Sequence, residues 1–401
     1  MRLLFSLLII LLFTPNAFAQ KKEISEARTQ IKNKSNLAQA EASMRELLKD
    51  SANRGNIKIY VTLADAVRAA YDVANEQFYL KQSSDTASLF KAARKMFLAY
   101  ELLDSAEMRP DAKGRVKLNY RKKNSENLAS YRPNLYAGGL YFVGKGAYAD
   151  AYDMLDTYLQ CSTQPLFTSQ KYDINDVKSQ TAAFWTVFSG FKLNNPTKAL
   201  TYKDIALGSK EYRERTQIYL AETYQLMNDT TAYVDMLSKG FEEHPSSQFL
   251  FTRIIDHYND LGRFDTALDI ADKAVKSDPS NSLFLFGKSS ALLNLGRYNE
   301  CLVVCDTLIA RGDAQAEVYF NAGVSYVNMA VLLEKELKTD AKTKNKIKSY
   351  YKMAQPYMEK FRQMAPDQQD RWAPSLYNIY LKLNMGRQFE EINDLLKKSG
   401  K

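Results

Sequence analysis

Leu261-Gly262-Arg263-Phe264 returns as Leu295-Gly296-Arg297-Tyr298, 34 positions later. The step extends beyond that tetrapeptide: Pro245 and Pro279 are 34 apart, and Tyr224, Tyr258, Leu292 and Tyr326 form a row with the same spacing. A fixed step of this length marks two-helix units that stack in series, each burying its apolar face only against its neighbours. Apolar residues recur at helical spacing through nearly the whole chain, and no alternating strand-like run interrupts them. The expected fold is all-α.

The frame can be followed unit by unit. Residues 214–247 carry Leu220, Ala221 and Tyr224, then Tyr233, Leu237, Gly240 and Pro245. The next unit gives Phe251, Ile254, Ile255 and Tyr258, then the small residues Ala267, Ala271 and Ala274, and Pro279. Leu285, Lys288, Ser289, Leu292, Cys301, Cys305 and Leu308 repeat the spacing, with Asp313 in place of proline. Tyr319, Ala322, Gly323 and Tyr326 open a further unit whose second helix (Ala354, Met358, Phe361, Pro366) arrives 19 residues late. Upstream, Ala183, Val187, Ala199 and Ala206 hold the same register.

This pattern of bulky, apolar, small and aromatic residues resembles the tetratricopeptide repeat (TPR) family. The resemblance implies an α-α superhelix, a TPR-like solenoid of about nine antiparallel helix pairs, that binds protein segments. Regular repeats are expected over 179–401, with a basic insertion at about 334–352 that lengthens two helices, and divergent helical repeats over 20–178. In the latter, Ile57 to Leu80 and Thr86 to Ala106 read as paired long helices, and Asn36 to Lys49 as an opening one. Gly138-Gly139, Phe142, Ala151, Leu155 and Tyr158 read as another pair, followed by a loop from Cys161 to Asp173. Two glycines inside a helix imply a close helix crossing, since each costs about 1 kcal/mol relative to alanine. Trp372 to Met385 and Gln388 to Lys398 close the chain, with Gly386 expected at their turn.

The N-terminus speaks to location. Arg2, the apolar run Leu3 to Phe13, Pro15 and Ala17-Phe18-Ala19 before Gln20 match a secretory signal peptide, residues 1–19. The apolar run is too short for a bilayer, which takes about 20 residues, so no transmembrane segment is expected in the mature chain. No cysteine follows the cleavage point to carry a lipid. The expectation is an exported protein, periplasmic or secreted, of a Gram-negative bacterium. The formal charge of +9 falls to +8 without Arg2, a weak bias that does not read as a nucleic-acid footprint.

Chemistry is poorly represented. Gly139 to Gly144 with Lys145 imitates a phosphate-binding loop, but Gly146 replaces the magnesium-binding hydroxyl and the preceding segment reads as helix. His244 and His257 fall on different elements, and neither has the spaced partner that a zinc helix needs. Cys301 and Cys305 occupy the small packing positions of Ala267 and Ala271 one unit earlier, which suits cysteine as a small buried hydrophobe. Cys161 makes the count odd, so no disulfide framework is indicated. There is no Gly-x-Ser-x-Gly elbow, and adjacent carboxylates such as Glu242-Glu243 and Glu390-Glu391 point to different helix faces. No enzyme activity, cofactor or metal is expected.

A surface remains. In the TPR family the first helices line a groove, which the resemblance places here at Arg215, Glu222, Thr252, Asp256, Asp260, Phe286, Ser290, Asn294, Phe320 and Asn328. Ile218, Val324 and Glu317 lie on the same rows. Arg215 is the one basic residue among acidic ones, which argues against clamping a carboxylate. The expected function is a scaffold or adaptor that binds a protein segment within a cell-envelope assembly. The alternative is a glycan- or anionic-surface-binding helical repeat, for which Arg115, Lys117, Arg121, Lys122 and Lys123, and Lys338, Lys342, Lys344, Lys346 and Lys348, would supply the charge.

Overall fold

The computed structural model describes residues 20–82, 85–111, 113–335 and 340–398, and among them every regular element is helical. The expected signal peptide and Lys338 lie outside the described residues. Contacts divide the chain into two compact units, Met1–Tyr233 and Val234–Lys401. The onset of regular repeats expected at 178/179 concerns sequence register, a different property from this division by contacts.

The first unit runs through α1 (residues 20–32), α2 (Leu37–Leu47), α3 (Ile57–Tyr79) and α4 (Thr86–Glu107) to α5 (Arg121–Ala129), α6 (Arg132–Gly144) and α7 (Tyr148–Gln160). A 3-10 turn at Pro165–Gln170 follows, then α8 (Val177–Lys192), α9 (Pro196–Leu200), α10 (Lys203–Leu207) and α11 (Arg213–Leu226). Helix α12 (Thr230–Glu243) carries the division between the units. The second unit holds α13 (Gln248–Asp260), α14 (Phe264–Ser277), α15 (Ser282–Asn294), α16 (Tyr298–Ala310), α17 (Ala316–Glu334), α18 (Ala341–Met364), α19 (Gln369–Lys382) and α20 (Gly386–Lys398). Consecutive helices pack as pairs, α3 on α4, α6 on α7, α13 on α14, α15 on α16, α17 on α18 and α19 on α20, which is the helical-repeat architecture.

One turn chemistry punctuates the pairs. Asn194, Asn228, Gly262 and Gly296 stand at 34-residue steps, and each takes a left-handed backbone, with φ of 51°, 56°, 68° and 73°. The residue after each donates its N–H back five residues: Asn195 to Gly190 (3.0 Å), Asp229 to Tyr224 (3.0 Å), Arg263 to Tyr258 (2.8 Å) and Arg297 to Leu292 (2.9 Å). This is the Schellman stop, which satisfies carbonyls that the helix end leaves bare. The Leu-Gly-Arg-aromatic echo is its glycine form. At the next step stands Ala330, which would pay about 1–2 kcal/mol to turn left-handed. It is buried in mid-helix, and α17 runs on to Glu334. The lengthened α17 and α18 are joined by Tyr351 Oη to Glu334 (3.4 Å) and by Tyr326 against Tyr350 (6.3 Å between centroids).

The close crossing expected at Gly138-Gly139 is present. A Cβ on Gly139 would fall 2.4 Å from Leu155 Cδ2, and one on Gly138 2.5 Å from Met154 Cε. Three expectations need correction. The second helix carrying Ala199 and Ala206 is broken into α9 and α10. Both alanines are buried, and both pieces pack on α8. Tyr202, non-helical at φ −117°, breaks the helix while its hydroxyl reaches Asp156 at 2.6 Å. Gly386 is not in a turn but opens α20, and Asn384 (φ 58°) turns the chain. The loop after Cys161 is partly ordered as the 3-10 turn, with Leu166 and Phe167 buried.

Candidate functional site

In the second unit the first helices of successive pairs touch one another: α13 meets α15, α15 meets α17 and α17 meets α19. Gly287 allows the first of these approaches, since a Cβ there would lie 2.6 Å from Phe251 Cζ and 3.0 Å from Ile255 Cδ1. Asn321 fastens the second, its Nδ2 donating to Ser289 Oγ at 3.0 Å and Ser290 Oγ at 3.2 Å. These helices hold eight of the ten residues expected in the groove.

Asp256 and Asp260 are exposed one turn apart on α13, and Asn294 is exposed at the end of α15. Phe286 and Asn328 are half-buried. Burial first, and the charge of Asp260 second, push the Asp256 carboxyl above its ordinary value, while Arg253 pulls it down. A cation brought between the two carboxylates would relieve that repulsion. The others are engaged within the fold. Thr252 donates its hydroxyl to the Gln248 carbonyl, Ser290 receives Asn321, and Glu317 accepts from Gln368 Nε2 at 3.2 Å. Phe320 packs at 5.0 Å on Phe361, with the Arg371 guanidinium 4.0 Å over its ring. It therefore reads as a wall of the core more than as an open pocket residue. Arg215 is exposed and Glu222 half-buried on α11 of the first unit.

The remaining chemical candidates have structural explanations. Gly139, Gly144 and the residues between them lie in α6, so the phosphate-loop resemblance is a helix. Cys301 and Cys305 are fully buried, their sulfurs 3.9 Å apart. The bond between them and burial push the Cys305 thiol up, the same bond draws Cys301 down, and burial pushes Cys161 up to about 12. Because all three thiols are buried, native protein is expected to resist an alkylating reagent at pH 8, and denaturant should release all three cysteines. Rapid modification of the folded protein would contradict that packing. Among the described residues no cluster of His, Cys, Asp or Glu has a metal-binding arrangement, and no helix is long and apolar enough to cross a membrane.

The first basic cluster is not a single patch. Arg121 is spent on Asp104 through two bonds of 2.7 and 2.8 Å, and Arg115 is paired with Asp111 at 3.1 Å. Lys117, Lys122 and Lys123 are exposed, as are Lys342, Lys344, Lys346 and Lys348 on the first half of α18. What the sequence did not reveal is a cleft of about 420 Å³ in the first unit. It brings Arg54, Lys58 and Arg109 to Arg115 and Lys117.

Comparison with known proteins follows the fold. No protein-family model matches the chain, and no curated protein does. Solved structures similar to it include a tetratricopeptide repeat protein from Parabacteroides merdae, 16% identical, with a TM-score of 0.36 over 66% of this chain and 97% of that one. A TPR repeats protein from Bacteroides fragilis is 16% identical, with a TM-score of 0.31 over 66% of this chain and 98% of its own. Yeast Tom70 is 14% identical, with a TM-score of 0.29 over 96% and 92% of the two chains. The assignment of an all-α helical repeat rests on this chain's own helix pairs and turns.

Proposed function

We propose that the chain is a non-enzymatic scaffold that holds a basic protein segment along the first helices of its second unit, as an exported component of a cell-envelope assembly. The observation that carries this reading is the exposed Asp256 and Asp260 pair on α13, one helix away from exposed Asn294 and half-buried Phe286 on α15. Carboxylates and an amide accept hydrogen bonds from lysine, arginine or backbone N–H groups, and Phe286 offers apolar surface beside them. Export is supported by the leader-like N-terminus.

The reading is tested by fluorescence anisotropy with a panel of lysine- and arginine-bearing peptides against acidic counterparts of equal length. Basic peptides should bind more tightly, and Asp256→Asn/Asp260→Asn should weaken them about tenfold at low salt, with smaller losses near physiological screening. Equal binding of acidic and basic peptides, or unchanged affinity in the double variant, removes this face as the site. The exposed lysines of α18 support a second reading, contact with an anionic envelope surface.

A further inference from the structure

The cleft of the first unit has a composition that nothing in the scaffold reading uses. Its walls come from the turn before α3 and that helix's first turn, the end of α4, and residues 109–111 and 115–120. Five cations line it, Arg54, Lys58, Arg109, Arg115 and Lys117, against two acids, Glu107 and Asp111.

Both acids are already committed. Glu107 is buried, and its two carboxylate oxygens accept the backbone N–H groups of Asn119 (2.9 Å) and Tyr120 (3.1 Å), which fastens that stretch back onto α4. Asp111 accepts Arg115 Nη2 at 3.1 Å and the backbone N–H groups of Lys113 (2.8 Å) and Arg115 (3.0 Å). Those bonds hold its carboxyl below the ordinary value, the backbone bond from Arg115 most of all.

Two of the cations are instead positioned by carbonyls. Arg54 Nε donates to Leu48 O at 3.2 Å and its Nη2 to Lys49 O at 3.3 Å, while Arg109 Nη1 donates to Arg54 O at 3.3 Å. A carbonyl orients a guanidinium without neutralising it. Arg54, Lys58, Arg109 and Lys117 thus keep their charge, with no ion pair among the described residues. Like charges gathered at a cleft repel one another and raise its potential for anions. The first turn of the 23-residue α3 adds the positive end of its dipole, and Ile57, Ala106 and Pro110 add apolar surface.

We propose that this cleft binds a phosphate-bearing ligand. Four uncompensated cations exceed what one carboxylate would neutralise, and arginine forks suit phosphate oxygens. The apolar residues would lie beside the ester stem. The same chemistry is presented by a soluble phosphorylated compound and by a phospholipid headgroup, so the test has an arm for each.

Calorimetric titration of the full chain with inorganic pyrophosphate at low salt should show binding that weakens as salt rises. Lys58→Glu/Lys117→Glu should weaken it at least about tenfold. Lys122→Glu/Lys123→Glu makes the same change in net charge on exposed lysines outside the cleft and should leave binding nearly unchanged. Matched melting curves would show that both variants fold. Phosphatidylglycerol vesicles form the second arm. Sedimentation with them that Lys58→Glu/Lys117→Glu abolishes assigns the site to a headgroup, and pyrophosphate binding without sedimentation assigns it to a soluble ligand. Absence of binding in both arms overturns the proposal. Equal losses in the two double variants, or competition by a glutamate-rich peptide as strong as by pyrophosphate, would overturn it as well.

Discussion

Replacing Gly190 by alanine is expected to lower the melting temperature more than any other single-methyl change in the first unit. Gly190 lies in α8 where α9 crosses it, and a Cβ there would stand 2.3 Å from Ala199 N, 2.6 Å from Ala199 Cα and 2.7 Å from Lys198 C. These are backbone atoms, so no rotamer change clears the space. Their place is also fixed locally, because the Asn195 side chain caps α9 by accepting from Lys198 N at 3.1 Å. Overpacking costs about 1–3 kcal/mol where side chains can yield, so a clash with main chain should reach about 3 kcal/mol or more. At about 2–4 °C per kcal/mol for a unit of this size, the melting temperature should fall by roughly 10 °C. Gly144→Ala is the control: nothing stands within 4 Å of the added carbon, and the change should be neutral or mildly stabilising. A Gly190→Ala protein that melts with its parent would show that α9 does not sit where the structure puts it.

The second large effect is a pH dependence centred on Glu101 of α4. Burial pushes this carboxyl up to about 7, with Asp156 and Asp104 adding to the rise and Arg94 opposing it. Its Oε1 has no hydrogen-bond partner among the described residues. A folded-state value above the unfolded one means that the folded protein holds this proton longer. The favourable contribution is complete below about 4.5 and is lost as pH rises through about 7. The difference corresponds to about 3 kcal/mol between those limits. Glu101→Gln keeps the shape and removes the ionisation, so it should flatten the slope and leave the variant more stable than its parent at pH 8. Urea unfolding at pH 5 and pH 8 measures both. Parallel pH profiles for the two proteins would place the titration elsewhere.

How much of this was legible in the sequence depends on the range of the cause. Helix pairing was legible, since apolar spacing and the 34-residue step are local properties. So was the burial of Cys301 and Cys305, because Ala267 and Ala271 mark the same positions one unit earlier. The turns were only half visible. Gly262 and Gly296 look alike, whereas Asn194 and Asn228 do not look like them, yet asparagine also tolerates the left-handed backbone. The break at Tyr202 carries no breaker residue, and the Asp156 that its hydroxyl meets is far away in sequence. The candidate faces show the same limit. Row positions identified Asp256 and Asp260, but not that Arg371 covers Phe320 or that Asn321 occupies Ser290. The cluster from Arg115 to Lys123 mixed spent and unspent charges, and Arg54 and Lys58 joined it only through folding.

The recurrent left-handed stop also bears on how such a chain can change over generations. The end of a first helix at its usual length coincides with asparagine or glycine at one position in four units, and its continuation with alanine at Ala330 in the next. Residues gained beyond an open stop lengthen one hairpin, while the next pair is re-phased by its own turn at Asn384. Length variation is thus confined to the hairpin where it arises, and selection can add or trim a protruding arm without renegotiating the packing of its neighbours.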